Sequence, residues 1–333
     1  MKTHTIVRDI TLNGWEYGML RSFEEAIVKE TGASVTDIPA YSFASKYMQH
    51  FGQGMNRGVY RKYFPKQELE LKADVAWCIL MGPENYRLDL YNKWDTGCKA
   101  KILYLYDTLP AQYPLIKRLF SNNSWDILIT SFNDAVEDLE KITGRKWHCA
   151  EQAAGETLFQ PVPLHERLID FSSYGRRYPV LHEAIKEFCH NKGLYYDYTT
   201  HDARHPVADA AELYRQYAWH LSHSIFTVSW PVELTNPGRS GHLHPITCRW
   251  FEAAAAGTII IGKAPANPAF EALFFGKMVA ETDPLQDKKA MMRELERLWS
   301  EREVLFARAS EKRNLYIESW GWTERVKRIL SWI

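Results

Sequence analysis

Residues 99–144 read KAKILYLYDTLPAQYPLIKRLFSNNSWDILITSFNDAVEDLEKITG. KAKILYLYD and SWDILITS hold continuous apolar runs, the pattern of strands covered on both faces. Between and after them, YPLIKRLFSNN and FNDAVEDLEKITG space their apolar residues as helices do, the second stopping at a glycine. Strand, helix, strand, helix in this order needs right-handed crossovers and predicts a parallel, doubly wound α/β sheet.

The same reading extends in both directions. Upstream, ADVAWCILMG (73–82) is another buried strand, and residues 16–31 predict a helix that ends at Gly32. SVTDIPAYSF (34–43) looks extended, and KYMQHFGQGMNRGVYRKYF (46–64) looks helical, basic and aromatic. Downstream, prolines gather and periodicity lapses around LFQPVPLHER (158–167), as expected of a linker between two compact units. A second alternation follows: strand LIDFSSYG, helix PVLHEAIKEFCHNKG, strand LYYDYTT, helix DAAELYRQYAWHLSHS, strand IFTVSW, then a helix and strand within HPITCRWFEAAAAGTIIIG (244–262). FEALFFGKMVAE and a charged helix from about Asp287 to about Lys312 come next. The last stretch, SWGWTERVKRILSWI, is amphipathic, with Trp320, Val326, Ile329, Leu330 and Ile333 near one face. The expected division is residues 1–160, residues 161–315 and a terminal helical segment, 316–333, the two α/β halves facing one cleft.

A chain of 333 residues exceeds the size at which one core keeps growing, which agrees with two units. Lys and Arg equal Asp and Glu at 41 each, so no net field draws the chain to nucleic acid. The five cysteines are scattered, with no CxxC spacing, and read as reduced thiols of a cytoplasmic protein. No apolar stretch approaches a membrane span or the core of a signal peptide, which leaves peripheral attachment at the inner membrane face open. Twelve Trp and eighteen Tyr suit grooves with amphipathic walls, and those of the first half could line an acceptor groove or fill a core.

In open α/β sheets ligands bind beyond the carboxyl ends of strands, which directs attention to four places. After the strand LIDFSS come Tyr174, Gly175, Arg176 and Arg177: a glycine for close backbone approach, a helix start and two planar guanidinium forks suit a diphosphate. The same residues also make a tight turn with two solvated arginines. Glu252 sits one helical turn from Arg249, where a carboxylate accepts the hydroxyls of a ribose or forms an ordinary i,i+3 pair. Asp107, after the strand KILYLY, is a candidate general base for an acceptor hydroxyl or the cap of the next helix. The loop SWPVELTNPGRSGHLHP (229–245) is polar and long enough to be functional, which makes Arg239, Ser240, His242 and His244 candidates for ligand contacts, with a donor's phosphates or sugar by the resemblance given below. The pairs His201/His205 and His242/His244 lack a third ligand at a recognisable spacing, so no metal is expected. GxGxxG, GxxxxGK[ST] and GxSxG are absent, which removes the phosphate cradles of dinucleotide and P-loop enzymes and the nucleophile elbow of hydrolases.

RWFEAAAAGTIIIG (249–262), GRRYPVLHEA (175–184) and SWGWTERVKRIL (319–330) together resemble the group 1 glycosyltransferases of GT-B fold, especially the branch with CgeB-like spore-maturation proteins. The likeness covers residues 165–333. It implies two Rossmann-like domains with a terminal helix crossing back to the first, a donor nucleotide-sugar on the second domain and an acceptor, glycan or small molecule, on the first. By the same resemblance Glu252 binds the donor ribose, with Arg249 three residues before it and Gly257 ending the helix, and Gly175, Arg176 and Arg177 face the phosphates. Many such enzymes carry a further glutamate eight residues before this one; here that position is His244, an imidazole without a permanent negative charge. The implied activity is metal-independent, retaining hexosyl transfer, with Asp107, His244 and Arg176 as catalytic candidates and Lys263 as a further phosphate contact. A sugar-nucleotide-binding or coat scaffold without turnover is the alternative.

Overall fold

The computed structural model describes residues 2–9, 17–38, 67–86, 88, 91–122, 124–199, 209–273, 279–283 and 286–333. The predicted helix at 46–64 and the pair His201/His205 lie outside these residues. The first half builds a six-stranded sheet from β1 (His4–Asp9), β2 (Ser34–Ile38), β3 (Val75–Leu80), β4 (Ala100–Leu105), β5 (Ile127–Thr130) and β6 (His148–Cys149). Its order is β2-β1-β3-β4-β5-β6 and every pairing is parallel. Helices α1 (Gly18–Thr31), α2 (Tyr113–Phe120) and α3 (Val136–Thr143) connect the strands; Gly32 and Gly144 end α1 and α3 in the left-handed conformation. β1 has no counterpart in the sequence reading: of its six residues only Thr5, Ile6 and Val7 are buried, and a threonine within a short run hides a central strand.

The second half holds β7 (Ile169–Ser173), α4 (Pro179–Lys192), β8 (Tyr196–Tyr198), α5 (Ala210–Ser222), β9 (Ser224–Ser229), α6 (Cys248–Ala256), β10 (Ile259–Gly262) and β11 (Val279–Glu281). Its parallel sheet has the order β8-β7-β9-β10-β11. The chain closes with α7 (Lys288–Ser300), α8 (Arg302–Trp320) and α9 (Trp322–Leu330). The single charged helix expected over 287–312 is thus two helices. The boundary expected at 315/316 falls inside α8, and the chain turns at Gly321 instead.

Two helices tie the halves together. α9 packs on α1, and α1 packs in turn on α5 of the second half. At that crossing a β-carbon on Gly18 would lie 2.4 Å from Tyr214 Cβ and 2.6 Å from the Ala210 carbonyl oxygen, so only glycine admits this approach.

α6 is short because its carboxyl end is fixed twice. Gly257 takes the left-handed conformation, its N–H bonding the Ala254 carbonyl while Thr258 N–H bonds that of Ala253, a Schellman closure. The buried guanidinium of Arg167 then donates to the carbonyls of Ala256 (2.8 Å) and Gly257 (3.3 Å), to Thr258 Oγ1 (3.0 Å) and to the Ser224 carbonyl. A cation here also opposes the negative end of the helix dipole. Arg167→Ala would leave these buried acceptors unmatched and should cost about 3 kcal/mol, read as a lower urea midpoint at unchanged slope. A change below about 0.5 kcal/mol would show that the guanidinium is dispensable.

Candidate active site

Strand order in the second sheet reverses between β7 and β9, and such a switch point opens a crevice at the carboxyl ends of the two strands. The turn Tyr174–Arg177 leaves β7 there, the loop from Trp230 to Thr247 leaves β9, and exposed Lys263 follows β10 on the same edge. Gly175 has φ +93°, and its N–H donates to Thr199 Oγ1 at 3.0 Å. A β-carbon on Gly175 would lie 3.7 Å from Arg249 Nε and 4.0 Å from its Nη2, so the turn passes directly over the Arg249 guanidinium.

Arg176 is exposed and stands within electrostatic range of Arg239, Arg249 and Asp107. Arg177 goes elsewhere, its guanidinium lying over the Tyr198 ring at 5.0 Å. The structure therefore brings Arg176, Arg239 and Arg249 together and sets Arg177 on the edge strand β8.

The β9 loop meets the first half along a polar seam. Arg239 Nη2 lies 2.5 Å from Asp107 Oδ2, and His242 Nε2 lies 2.8 Å from Asp138 Oδ2. The His244 backbone N–H donates to Asp134 Oδ2 at 2.6 Å, and its Nδ1 lies 3.1 Å from Glu233 Oε1. Asn267 exchanges amide hydrogen bonds with Asn133 and donates to the His244 carbonyl at 2.9 Å. Ser240 is buried with its hydroxyl on the Pro237 carbonyl of its own loop. Burial raises the pKa of Asp107, and the charges of Arg239 and Arg176 partly offset this. Asp107 does not cap the following helical turn; Gln112 does, accepting the Leu109 N–H at 2.9 Å. Burial likewise raises Asp134, against the hydrogen bond from His244.

Glu252 is fully buried and both of its oxygens are engaged. Tyr214 donates to Oε1 at 2.9 Å, while Oε2 takes Tyr217 at 2.9 Å and Arg249 Nη1 at 2.7 Å. The Arg249 guanidinium also rests on the Tyr217 ring, 4.5 Å from its centroid. Burial opposes the charge on Arg249, yet the adjacent Glu252 holds its pKa well above the usual arginine value. The carboxylate faces α5 and Arg249, not open solvent.

Several of these partners had no signal in the chain. Asp134 and Asp138 stand just before and within the first turn of α3, and Tyr214 and Tyr217 stand three apart on α5, positions that no local pattern singles out. Glu233 lay in a loop whose path only the fold reveals. Among the described residues no group of three or more His, Cys, Asp or Glu side chains is arranged to hold a metal ion. His242 and His244 turn to different carboxylates. The five cysteines form no disulfide, and no described helix is long and apolar enough to cross a membrane.

The chain belongs to the glycosyl transferase-like family, whose pattern matches residues 145–331. Solved structures resemble it over nearly its whole length. The crystal structure of Anabaena HepE in complex with UDP-glucose is 11% identical with a TM-score of 0.57, covering 100% of both chains. A glycosyltransferase from Rickettsia africae is 12% identical with a TM-score of 0.53, covering 99% of this chain and 97% of its own. An α,α-trehalose-phosphate synthase (UDP-forming) from Burkholderia vietnamiensis is 11% identical with a TM-score of 0.51, covering 100% of both. At such identities the likeness establishes the fold, the two-domain GT-B arrangement. No curated protein matches the sequence.

Proposed function

We propose that the protein transfers a sugar, a hexose by its resemblance and with retention, from a nucleotide-sugar donor seated at the carboxyl edge of the second sheet to a glycan or small-molecule acceptor on the first half. The observation that carries this reading is the convergence at the switch point of Arg176, within the glycine turn, with Arg249 beneath that turn and Arg239 within electrostatic range. Three guanidinium groups against the carboxylates of Asp107 and Glu252 leave a positive balance where the departing diphosphate would develop charge, the task a divalent cation performs in other enzymes. His244, backed by Glu233, would face the donor sugar. The seam of Arg239 with Asp107 and His242 with Asp138 would close the crevice and exclude the water that competes with transfer.

HepE carries UDP-glucose in its crystals, which makes uridine donors the first to try. Incubation with UDP-, GDP-, CMP- and dTDP-sugars in EDTA should show one class raising the melting temperature by roughly 5 °C at saturating ligand. The same donor should release its nucleotide when glycan and small-molecule acceptors are added. Stabilisation without release for any acceptor would support a binding scaffold, and stabilisation that needs a divalent ion would overturn the metal-free reading.

A further inference from the structure

Tyr174, the residue that opens the turn after β7, is tied to a carboxylate that two other elements share. Its hydroxyl donates to Asp197 Oδ2 at 2.7 Å, and the same oxygen meets His220 Nδ1 at 2.7 Å. Asp197 is the middle residue of β8 and His220 belongs to α5, so one oxygen joins an edge strand, a helix and the start of the turn. The Asp197 side chain is 20% exposed and that of His220 43%, so substitution at this joint opens no deep cavity. Burial first, and the Asp197 carboxylate next, hold the Tyr174 phenol well above the usual tyrosine range, which keeps the hydroxyl a donor.

The backbone repeats the attachment. Gly175 N–H donates to Thr199 Oγ1 at 3.0 Å, and Thr199 N–H returns to the Ser173 carbonyl at 3.2 Å. β8 ends the order of its sheet and pairs with β7 over three residues, Tyr196–Tyr198 against Phe171–Ser173. So short an edge strand makes few ladder bonds, which leaves the path of the chain beyond β7 to these ties. The Tyr174 ring also packs edge-on against Tyr217 of α5 at 5.2 Å, and the hydroxyl bond then sets its reach. Arg176 follows only two residues later, across Gly175 at φ +93°, a residue with no side chain to restrict its own backbone. Order at the arginine therefore has to come from outside the turn. We infer that Asp197 is a positioning residue: acting through Tyr174, it holds the Gly175–Arg176 segment in the conformation that receives the diphosphate of the bound nucleotide. A fork fixed before the ligand arrives loses less freedom on binding than one the ligand must order.

The inference rests on the donor-site reading above, and two measurements separate them. UDP, GDP, CDP and ADP are titrated calorimetrically against the wild-type protein, and the tightest is carried forward with its nucleoside. Tyr174→Phe keeps the ring and removes the hydroxyl; it should weaken the diphosphate about tenfold and leave the nucleoside unchanged. Asp197→Ala should match that loss, and the double variant should be no weaker than either single one within about twofold, since both break one bond. Asp197→Asn, whose amide oxygen still accepts from the phenol, should lose no more than about threefold. Hydrogen exchange without any ligand reads the anchor itself: in Tyr174→Phe the Gly175 amide should exchange about tenfold faster while the amides of β9 and β10 keep their protection. Unchanged exchange at Gly175, additive losses, or equal weakening of nucleoside and diphosphate would overturn the inference. Binding of no diphosphate to the wild-type protein would overturn the donor-site reading instead, and the exchange rates would still decide whether Asp197 holds the turn.

Discussion

Ending the chain after Tyr316 should destroy cooperative folding rather than trim an ornament. The segment lost contains all of α9, whose Trp322, Val326 and Ile329 are essentially inaccessible to solvent. The Trp322 ring stacks on Phe23 of α1 at 4.2 Å and meets Tyr104 of β4 edge-on at 6.3 Å, so it is wedged between a helix and the sheet of the opposite half. Thr323 closes the helix start by donating its N–H and hydroxyl to Glu156 at 2.9 and 3.0 Å. Arg325, buried, sets Nη1 3.1 Å from Glu151 Oε2 and lies over the Trp320 ring at 4.6 Å. Its Nε and Nη2, and Nε1 of both tryptophans, are buried without hydrogen-bond partners, so apolar burial, stacking, the Thr323 hydrogen bonds and the pairing of Arg325 and Arg328 with Glu151 hold the segment.

Removing a buried tryptophan costs about 3–5 kcal/mol and each aliphatic about 1–4, so the truncation forfeits roughly 8 kcal/mol, comparable to the whole stability of a domain. The truncated protein should aggregate or melt without a cooperative transition. Trp322→Ala in the full chain should cost about 4 kcal/mol while keeping a two-state melt. A truncated protein that melts cooperatively within a few degrees of full length would show that α9 is a passenger.

The fold was legible wherever both faces of a strand are covered, because there the chain writes an apolar run: β3, β4, β5 and β10 read plainly, and Ile225, Phe226, Val228 and Trp230 carry β9 past Thr227. β1 did not, since its neighbours β2 and β3 satisfy its backbone while only three of its side chains reach a core. The alternation of strands and helices directs attention to the carboxyl ends of the strands, and Gly175, Arg176, Arg239 and Arg249 are named there as candidates. Their partners are not. Glu252 meets tyrosines 35 and 38 residues upstream, and Arg239 meets an aspartate 132 residues away, separations no local periodicity encodes. A sequence shows that a carboxylate stands one turn from an arginine; only packing shows whether its remaining oxygen faces water or a phenol.

The balance of charge at the switch point makes Arg176 the residue on which transfer should depend most. Each carboxylate of this cluster is paired with another arginine, Asp107 with Arg239 at 2.5 Å and Glu252 with Arg249 at 2.7 Å. Arg176 therefore carries the positive excess. Its side chain is exposed, so substitution removes charge without opening a cavity. If that excess meets the diphosphate as its bond to the sugar breaks, Arg176→Met should lower kcat by about 100- to 1,000-fold, the range seen when one donor to a developing oxyanion is removed. KM for the donor should rise far less, because the charge is greater in the transition state than in the bound donor. Arg176→Lys should recover only part of the loss, since an ammonium keeps the charge but not the fork. Equal rises in KM with unchanged kcat would mean that Arg176 merely binds, and a kcat within threefold of wild type would remove it from the chemistry.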